Sequence, residues 1–312
     1  MSRTFRIAAG QLGPIHRNDT REAVVARLVA LLREAAAKGC ELVVFPEMAL
    51  TTFFPRWLIE DESELDSYYE AAMPSKHTMP LFEAAAALRI GFYLGYAELD
   101  FENGRKRRFN SAVLVDRQGR VVGKYRKIHL PGHSEYRPLD AFQHLEKRYF
   151  EVGDQGFGVW DAFGGTVGMC LCNDRRWPET YRVMALKGAE LVLLGYNTPL
   201  ENPAAPQPVE LRQFHNRLVM QAGAYQNACW VVGAAKAGFE EGVEMMAGSV
   251  IVSPHGEIRA EAQTSGDEIV HALCDLDETL VGKRNEFNFA AHRRPEHYGL
   301  ITDTAGQKER AE

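Results

Sequence analysis

The chain has 312 residues, 46% hydrophobic and 25% charged, a balance typical of a globular protein that excludes a disulfide-stapled miniprotein, a disordered tail and a fibrous repeat. Lys and Arg number 36 against 42 Asp and Glu, and the net charge of -6 argues against general nucleic-acid or anionic-membrane binding. The amino-terminal stretch lacks the apolar segment of a secretion signal and no run approaches a spanning helix, while five cysteines (Cys40, Cys170, Cys172, Cys229 and Cys274) make an odd count in hydrophobic surroundings, so a reducing, cytoplasmic setting is expected.

In chain order, 5–9 reads as a short buried strand and 20–38 as a helix. Asp19 with Glu22 suggests a capping box, and Val24, Val25, Leu28, Leu31, Leu32 and Ala35 form its apolar stripe. Gly39 can end this helix with positive φ. The nearly continuous apolar run 40–45 predicts a strand buried on both faces, which Pro46 stops, leaving Glu47 just beyond it. The region 49–80 has no clear period. Pro80 can open a helix to 89, followed by a strand over 91–98, a turn at Asn103-Gly104, and a hairpin of 111–115 with 120–124. The basic run Arg105-Lys106-Arg107-Arg108 reads as a solvated edge beside that turn. Gly153, Gly156 and Gly158 match no phosphate-binding loop. Four prolines between 196 and 208 predict a shaped loop, before a helix over 209–224 and a strand over 229–235.

Two internal echoes sharpen this outline. Residues 38–44 resemble 187–193, and 113–119 resemble 250–256, which suggests two similarly built halves sharing one core. No polar linker separates them, so one domain spanning 1–312 is expected: a layered α/β (or mixed α+β) sandwich of two sheets with helices outside.

The densest chemical signal is 168–179, where an apolar strand runs into Cys172 and Pro178 suits the first turn of the next helix. A cysteine at such an elbow can face a cleft as a thiolate nucleophile, and a buried structural cysteine is the alternative. Cys170 reads as packing. Glu47 could accept a thiol proton in a desolvated cleft, or form a surface salt bridge. Lys127 could face the oxygen of a tetrahedral adduct, or belong to a charged edge. Together the three supply proton removal, oxyanion stabilisation and attack without a histidine.

On these residues the chain resembles the nitrilase-related carbon–nitrogen hydrolase superfamily, through Glu47 in Phe45-Pro46-Glu47, Lys127 in Tyr125-Arg126-Lys127 and Cys172 in Cys170-Leu171-Cys172-Asn173-Asp174. It is similar in particular to N-carbamoyl-D-amino-acid hydrolases, through 51–57, 127–133, 142–150 and 173–179. The resemblance implies a four-layer αββα sandwich and hydrolysis of N-carbamoyl-D-amino acids to the D-amino acid, carbon dioxide and ammonia. It implies a fourth catalytic residue at Glu146, for which a structural ion pair is the alternative. It implies carboxylate binding by Arg175 and Arg176, with His144, Asn197 and Thr198 as polar contacts. His129, His133 and Asn173 join them as substrate-contact candidates, the histidines with structural roles as the alternative. No cofactor and no metal are required, and no HExxH pattern is present. The resemblance also implies a homodimer or homotetramer, and Phe287, Phe289 and Tyr298 amid charge and histidine suit 282–312 to a docking tail on a partner or on its own domain. Rival readings are a β-ureidopropionase-like or aliphatic-amidase-like enzyme, a nitrile hydrolase, and a non-enzymatic scaffold.

Overall fold

The computed structural model describes residues 3–202 and 205–307, so Pro203 of the proline-rich loop and positions 308–312 of the tail lie outside the described residues. The first half contains β1 (Thr4–Gln11), α1 (Arg21–Ala37), β2 (Leu42–Val44), α2 (Glu62–Asp66), α3 (Met79–Leu88), β3 (Gly91–Glu102), β4 (Arg105–Val115), β5 (Val121–Arg126) and α4 (Glu146–Tyr149). The second contains β6 (Val159–Ala162), β7 (Gly165–Leu171), α5 (Pro178–Leu186), β8 (Leu191–Tyr196), α6 (Val209–Asn227), β9 (Trp230–Ala235), the hairpin β10 (Ala237–Glu240) and β11 (Val243–Met246), β12 (Val250–Val252) and β13 (Ile258–Glu261). The chain ends in β14 (Glu268–Asp275), α7 (Glu278–Arg284), α8 (Phe289–His292) and α9 (Gly299–Asp303).

Two six-stranded sheets result, ordered β14-β1-β2-β3-β4-β5 and β6-β7-β8-β9-β12-β13. The echoed segments occupy matching places: β2 lies parallel between β1 and β3, and β8 parallel between β7 and β9. The last strand crosses back to the first sheet, pairing antiparallel with β1 from Thr4 opposite Asp275.

Strand alternation builds the layers. Ile7, Ala9, Leu42 and Val44 face the second sheet's Val167, Met169 and Leu171, while Ala8 and Val43 turn outward onto α1 and α3. Tyr181 and Met184 of α5 and Met220 and Ala224 of α6 cover the second sheet. The architecture is therefore an αββα sandwich. The α1 stripe is buried as its period predicts, and truncating a residue such as Leu28 to alanine would cost about 2–5 kcal/mol.

Several local expectations shift. The α1 cap is Thr20, whose side chain accepts from Ala23 N, while Asp19 instead accepts from His16 N. The unassigned region is held by distant aromatics: Phe54 packs on Tyr149 and Phe150. The run 105–108 opens β4 beside the turn at its solvent-facing end, as expected, with Arg105 and Lys106 exposed and Arg107 and Arg108 half-buried, but its charges are paired. Lys106 and Arg108 bridge Asp66, and Arg107 bridges Glu102, Glu151 and Asp154. The tail packs on its own chain at Phe287, edge-on to Tyr225, and at Phe289, beneath the Arg182 guanidinium. No helix among the described residues is long and apolar enough to cross a membrane.

Candidate active site

The site forms where strands of both sheets end. Leaving β2, the chain crosses a close approach made possible by two glycines. A Cβ on Gly195 of β8 would lie 2.4 Å from Glu47 N, and one on Gly95 of β3 2.7 Å from Glu47 Cα. Gly195→Ala should displace Glu47 and lower kcat by about 100-fold, because misplacing a reacting group by about 1 Å costs that much. Undiminished kcat in the folded variant would contradict this positioning.

Glu47, Lys127 and Glu146 meet in one fully buried cluster. Lys127 follows β5 directly, its backbone N–H donating to Asn110 O. Its Nζ donates to Glu47 Oε1 at 2.7 Å and to Glu146 Oε2 at 2.6 Å. Asn110 Nδ2 donates to Glu47 Oε1 at 2.8 Å, and Asn197 N donates to Glu47 Oε2 at 3.0 Å. Glu146 is carried on the segment that Pro55 O and Arg56 O receive from Leu145 N and Gln143 N.

Two carboxylates around one ammonium cannot share it equally. Burial, then the charge of Glu146, pushes the Glu47 carboxyl up against the pull of Lys127. Lys127 and His144 hold Glu146 below the usual carboxylate range despite its burial. The two carboxylates pull Lys127 above its ordinary value, outweighing desolvation. The three groups titrate as one coupled unit, in which a proton is held more readily on Glu47 than on Glu146.

Cys172 follows β7 directly at φ 42°, in the left-handed region a non-glycine residue seldom adopts. Asp174 clamps that elbow: its Oδ2 accepts from Tyr125 OH at 2.8 Å and from Leu171 N at 3.0 Å, and its Oδ1 accepts from His129 N at 3.0 Å. Burial, then Glu47, raises the Cys172 thiol, while Lys127 and Arg175 favour the thiolate. The net balance favours the protonated thiol.

The structure separates the adjacent arginines. Arg175 is 1% exposed and already engaged: Nη1 donates to Cys172 O at 2.6 Å, Nη2 to Thr198 Oγ1 at 3.1 Å, and Nε and Nη2 to Asn216 Oδ1. Its guanidinium lies over the Tyr196 ring, with Nη1 3.8 Å from Cys172 Sγ. Arg175 thus braces the elbow, against the expectation that it receives substrate. Arg176 instead reaches a cavity of about 430 Å³, which Cys172 also lines.

His133, His144, Asn173, Asn197 and Thr198 line the same cavity. His144 Nε2 lies 3.1 Å from Glu146 Oε1, and Thr198 Oγ1 lies 3.7 Å from Cys172 Sγ. The Asn197 side-chain amide is buried with neither polar atom hydrogen-bonded. His129 is not among the lining residues: its Nδ1 pairs with Asp174 and its ring stacks on Trp177. Asn110, Asp174 and Asn216 carry positioning roles that sequence reasoning missed. A buried polar residue inside the apolar end of β4 was the available signal for Asn110. Among the described residues no group of three or more His, Cys, Asp or Glu side chains is placed to hold a metal ion.

A family model described as carbon-nitrogen hydrolase matches residues 6–281. The chain is 30% identical over 288 residues to a citrullinase of Francisella tularensis, covering 91% of this chain and 94% of that protein. It is 29% identical over 291 residues to an N-carbamoylputrescine amidase of Arabidopsis thaliana, covering 90% and 91%. A solved carbon-nitrogen hydrolase of Helicobacter pylori shares the fold, with a TM-score of 0.81 at 23% identity, covering 97% of this chain and 99% of that one.

Proposed function

Because the chain belongs to the carbon–nitrogen hydrolase family and is an enzyme acting on amide-type C–N bonds, we propose that it hydrolyses N-carbamoyl-D-amino acids to the D-amino acid, carbon dioxide and ammonia. The observation that carries this reading is a single cavity joining Cys172, beside the buried Glu47–Lys127–Glu146 cluster, to the guanidinium of Arg176. A guanidinium fork suits a carboxylate. It disfavours a substrate such as N-carbamoylputrescine, whose far end is an ammonium. The handedness rests on the resemblance of 51–57, 127–133, 142–150 and 173–179 to D-carbamoylases.

In the proposed mechanism Glu47 takes the Cys172 thiol proton and the sulfur attacks the carbamoyl carbon. Lys127 stabilises the oxyanion, and Glu146 keeps Lys127 charged and aimed. The unpartnered Asn197 amide supplies hydrogen bonds to the substrate, and Arg176 holds its carboxylate. Glu47 returns the proton to the departing nitrogen, which leaves as the amino acid while a carbamoyl-thioester stays on Cys172. Water, losing a proton to Glu47, adds to that carbon, and the thiol departs with the proton returned. The carbamic acid released breaks down to carbon dioxide and ammonia. A reducing, cytoplasmic setting suits a reaction that needs Cys172 as a free thiol.

Matched D- and L-N-carbamoyl amino acids, with N-carbamoyl-β-alanine, test the reading. Ammonia release should favour the D series by at least about tenfold. Preference for N-carbamoyl-β-alanine would favour the β-ureidopropionase-like alternative, and equal activity on amide-capped substrates would remove the carboxylate anchor.

We also propose assembly as a homodimer or homotetramer. Support comes from Leu211, Phe214, Leu218 and Tyr225 of α6, which present side chains 40–54% exposed along one helical stripe. Light scattering should give at least the dimer mass, and a monomer mass across the working concentration range would overturn this.

A further inference from the structure

We propose that Arg212 is a specificity-determining residue that directs the site toward N-carbamoyl amino acids carrying a second anionic group, a side-chain carboxylate. This rests on the carbamoyl-amino-acid reading above and extends it to the substrate's side chain.

Arg137, Arg176 and Arg212 all line the cavity that contains Cys172, and among the described residues Asp140 is the one carboxylate that lines it. Elsewhere the chain compensates its arginines heavily: Arg107 meets three carboxylates, and Arg126 meets Glu98, Asp100 and Asp154. Among the described residues no salt bridge reaches Arg137, Arg176 or Arg212, although thirty-one are formed by other groups. Glu201, the acidic group that acts on Arg212 electrostatically, is solvent-exposed.

Arg212 is also held in place. It sits in the first turns of α6, with Nη2 donating to Pro199 O at 2.9 Å, and Pro199 itself lines the cavity. Its Nε is buried without a hydrogen-bond partner. Such a donor is costly to leave unmade. Mutual repulsion marks the same excess of positive charge: Arg175, then burial, depresses Arg176 to about 10, and Arg212 adds to the effect. Burial, then Arg175, lowers Arg212 itself.

One carboxylate neutralises one guanidinium. A substrate with only its α-carboxylate, held by Arg176, leaves Arg212 uncompensated beside it. A side chain ending in a carboxylate offers the second charge to a donor already fixed by the helix. A neutral amide of the same shape offers an acceptor without the charge.

The experiment compares kcat/KM for N-carbamoyl-D-glutamate against N-carbamoyl-D-glutamine, and for the aspartate and asparagine pair, with N-carbamoyl-D-alanine as reference. The natural enzyme should favour the acid over its amide by roughly tenfold to a hundredfold in at least one pair, as one charged hydrogen bond allows. In Arg212→Gln the ratio should fall close to one, and Arg212→Lys should keep part of it. Misfolding lowers acid and amide together and leaves the ratio intact, so the ratio separates recognition from structure. Hydrolysis of the alanine derivative with no acid preference in the natural enzyme would overturn this proposal and leave the carbamoylase reading standing. A preference that survives in Arg212→Gln would overturn the assignment to Arg212. Failure to hydrolyse any N-carbamoyl amino acid would overturn both.

Discussion

The Cys172→Ala protein is expected to fold normally and to release no ammonia above background from any N-carbamoyl amino acid. Deleting a covalent nucleophile lowers kcat on the order of 10⁶-fold in enzymes of this kind of chemistry. The fold should tolerate the change. Cys172 is 7% exposed, and its sulfur makes only long contacts, at 3.7 Å to Thr198 and 3.8 Å to Arg175. Its φ of 42° is no harder for alanine, since Ala228 and Ala247 already adopt 45° and 55°. Serine should fare little better than alanine, because Glu47 cannot readily deprotonate a group so much less acidic than a thiol. Steady-state assays alongside thermal melting check this, and substantial turnover by folded Cys172→Ala would remove the nucleophile from the account.

Lys127→Met should damage both stability and rate. Methionine nearly preserves the side-chain volume but leaves Glu47 and Glu146 buried without their shared ammonium. Removing one partner of such a buried pair costs about 3–5 kcal/mol. Losing the oxyanion donor should lower kcat by a further ~100- to 1,000-fold. The pH profile provides a distinct signature. Burial raises Glu47 and Lys127 opposes that rise, so without Lys127 the carboxyl holds its proton to higher pH. Any residual activity should therefore have its acid limb displaced upward. An unchanged melting temperature with an unchanged pH profile would contradict the buried cluster as the basis of catalysis.

The sequence revealed Glu47 and Cys172 because each follows an apolar run that reads as a strand, and a polar residue at the end of a buried strand calls for a partner. Lys127 follows the charged run Lys124-Tyr125-Arg126 at the end of a hairpin, and it stood out only once its chemistry was combined with that of Glu47 and Cys172. Glu146 gave no such signal, because it lies in a charged stretch and is placed by contacts with Pro55 and Arg56 far away in sequence; only the family resemblance singled it out. Arg175 and Arg176 looked equivalent as neighbours. The short turn after Cys172 sends one beneath the elbow to Asn216 and the other to the cavity. Asp174 was visible in the motif, but its clamp on Tyr125 and Leu171 depends on how β5 and β7 come together.

The same distinction applies to the fold. The α1 stripe and the echo of 38–44 in 187–193 encode local periodicity, so the helix and the two equivalent sheets could be anticipated. The α1 cap slipped by one residue because Asp19 and Thr20 are both good caps and Asp19 found another donor at His16. Residues 49–80 stayed opaque because their short turns are fixed by Tyr149 and Phe150, not by a repeating pattern of their own. The ion pairs of the basic run 105–108 were hidden for a related reason: apart from Glu102, its acidic partners come from 62–66 and 151–154.

In the proposed mechanism Cys172 becomes covalently carbamoylated during turnover. Enzyme mixed with an N-carbamoyl-D-amino acid carrying carbon-13 in the carbamoyl group, quenched in acid within the first turnovers and analysed by peptide mass spectrometry, should carry the label on Cys172, and Cys172→Ala should carry none. Label confined to another residue, or turnover that leaves Cys172 unlabelled at every quench time, would contradict it.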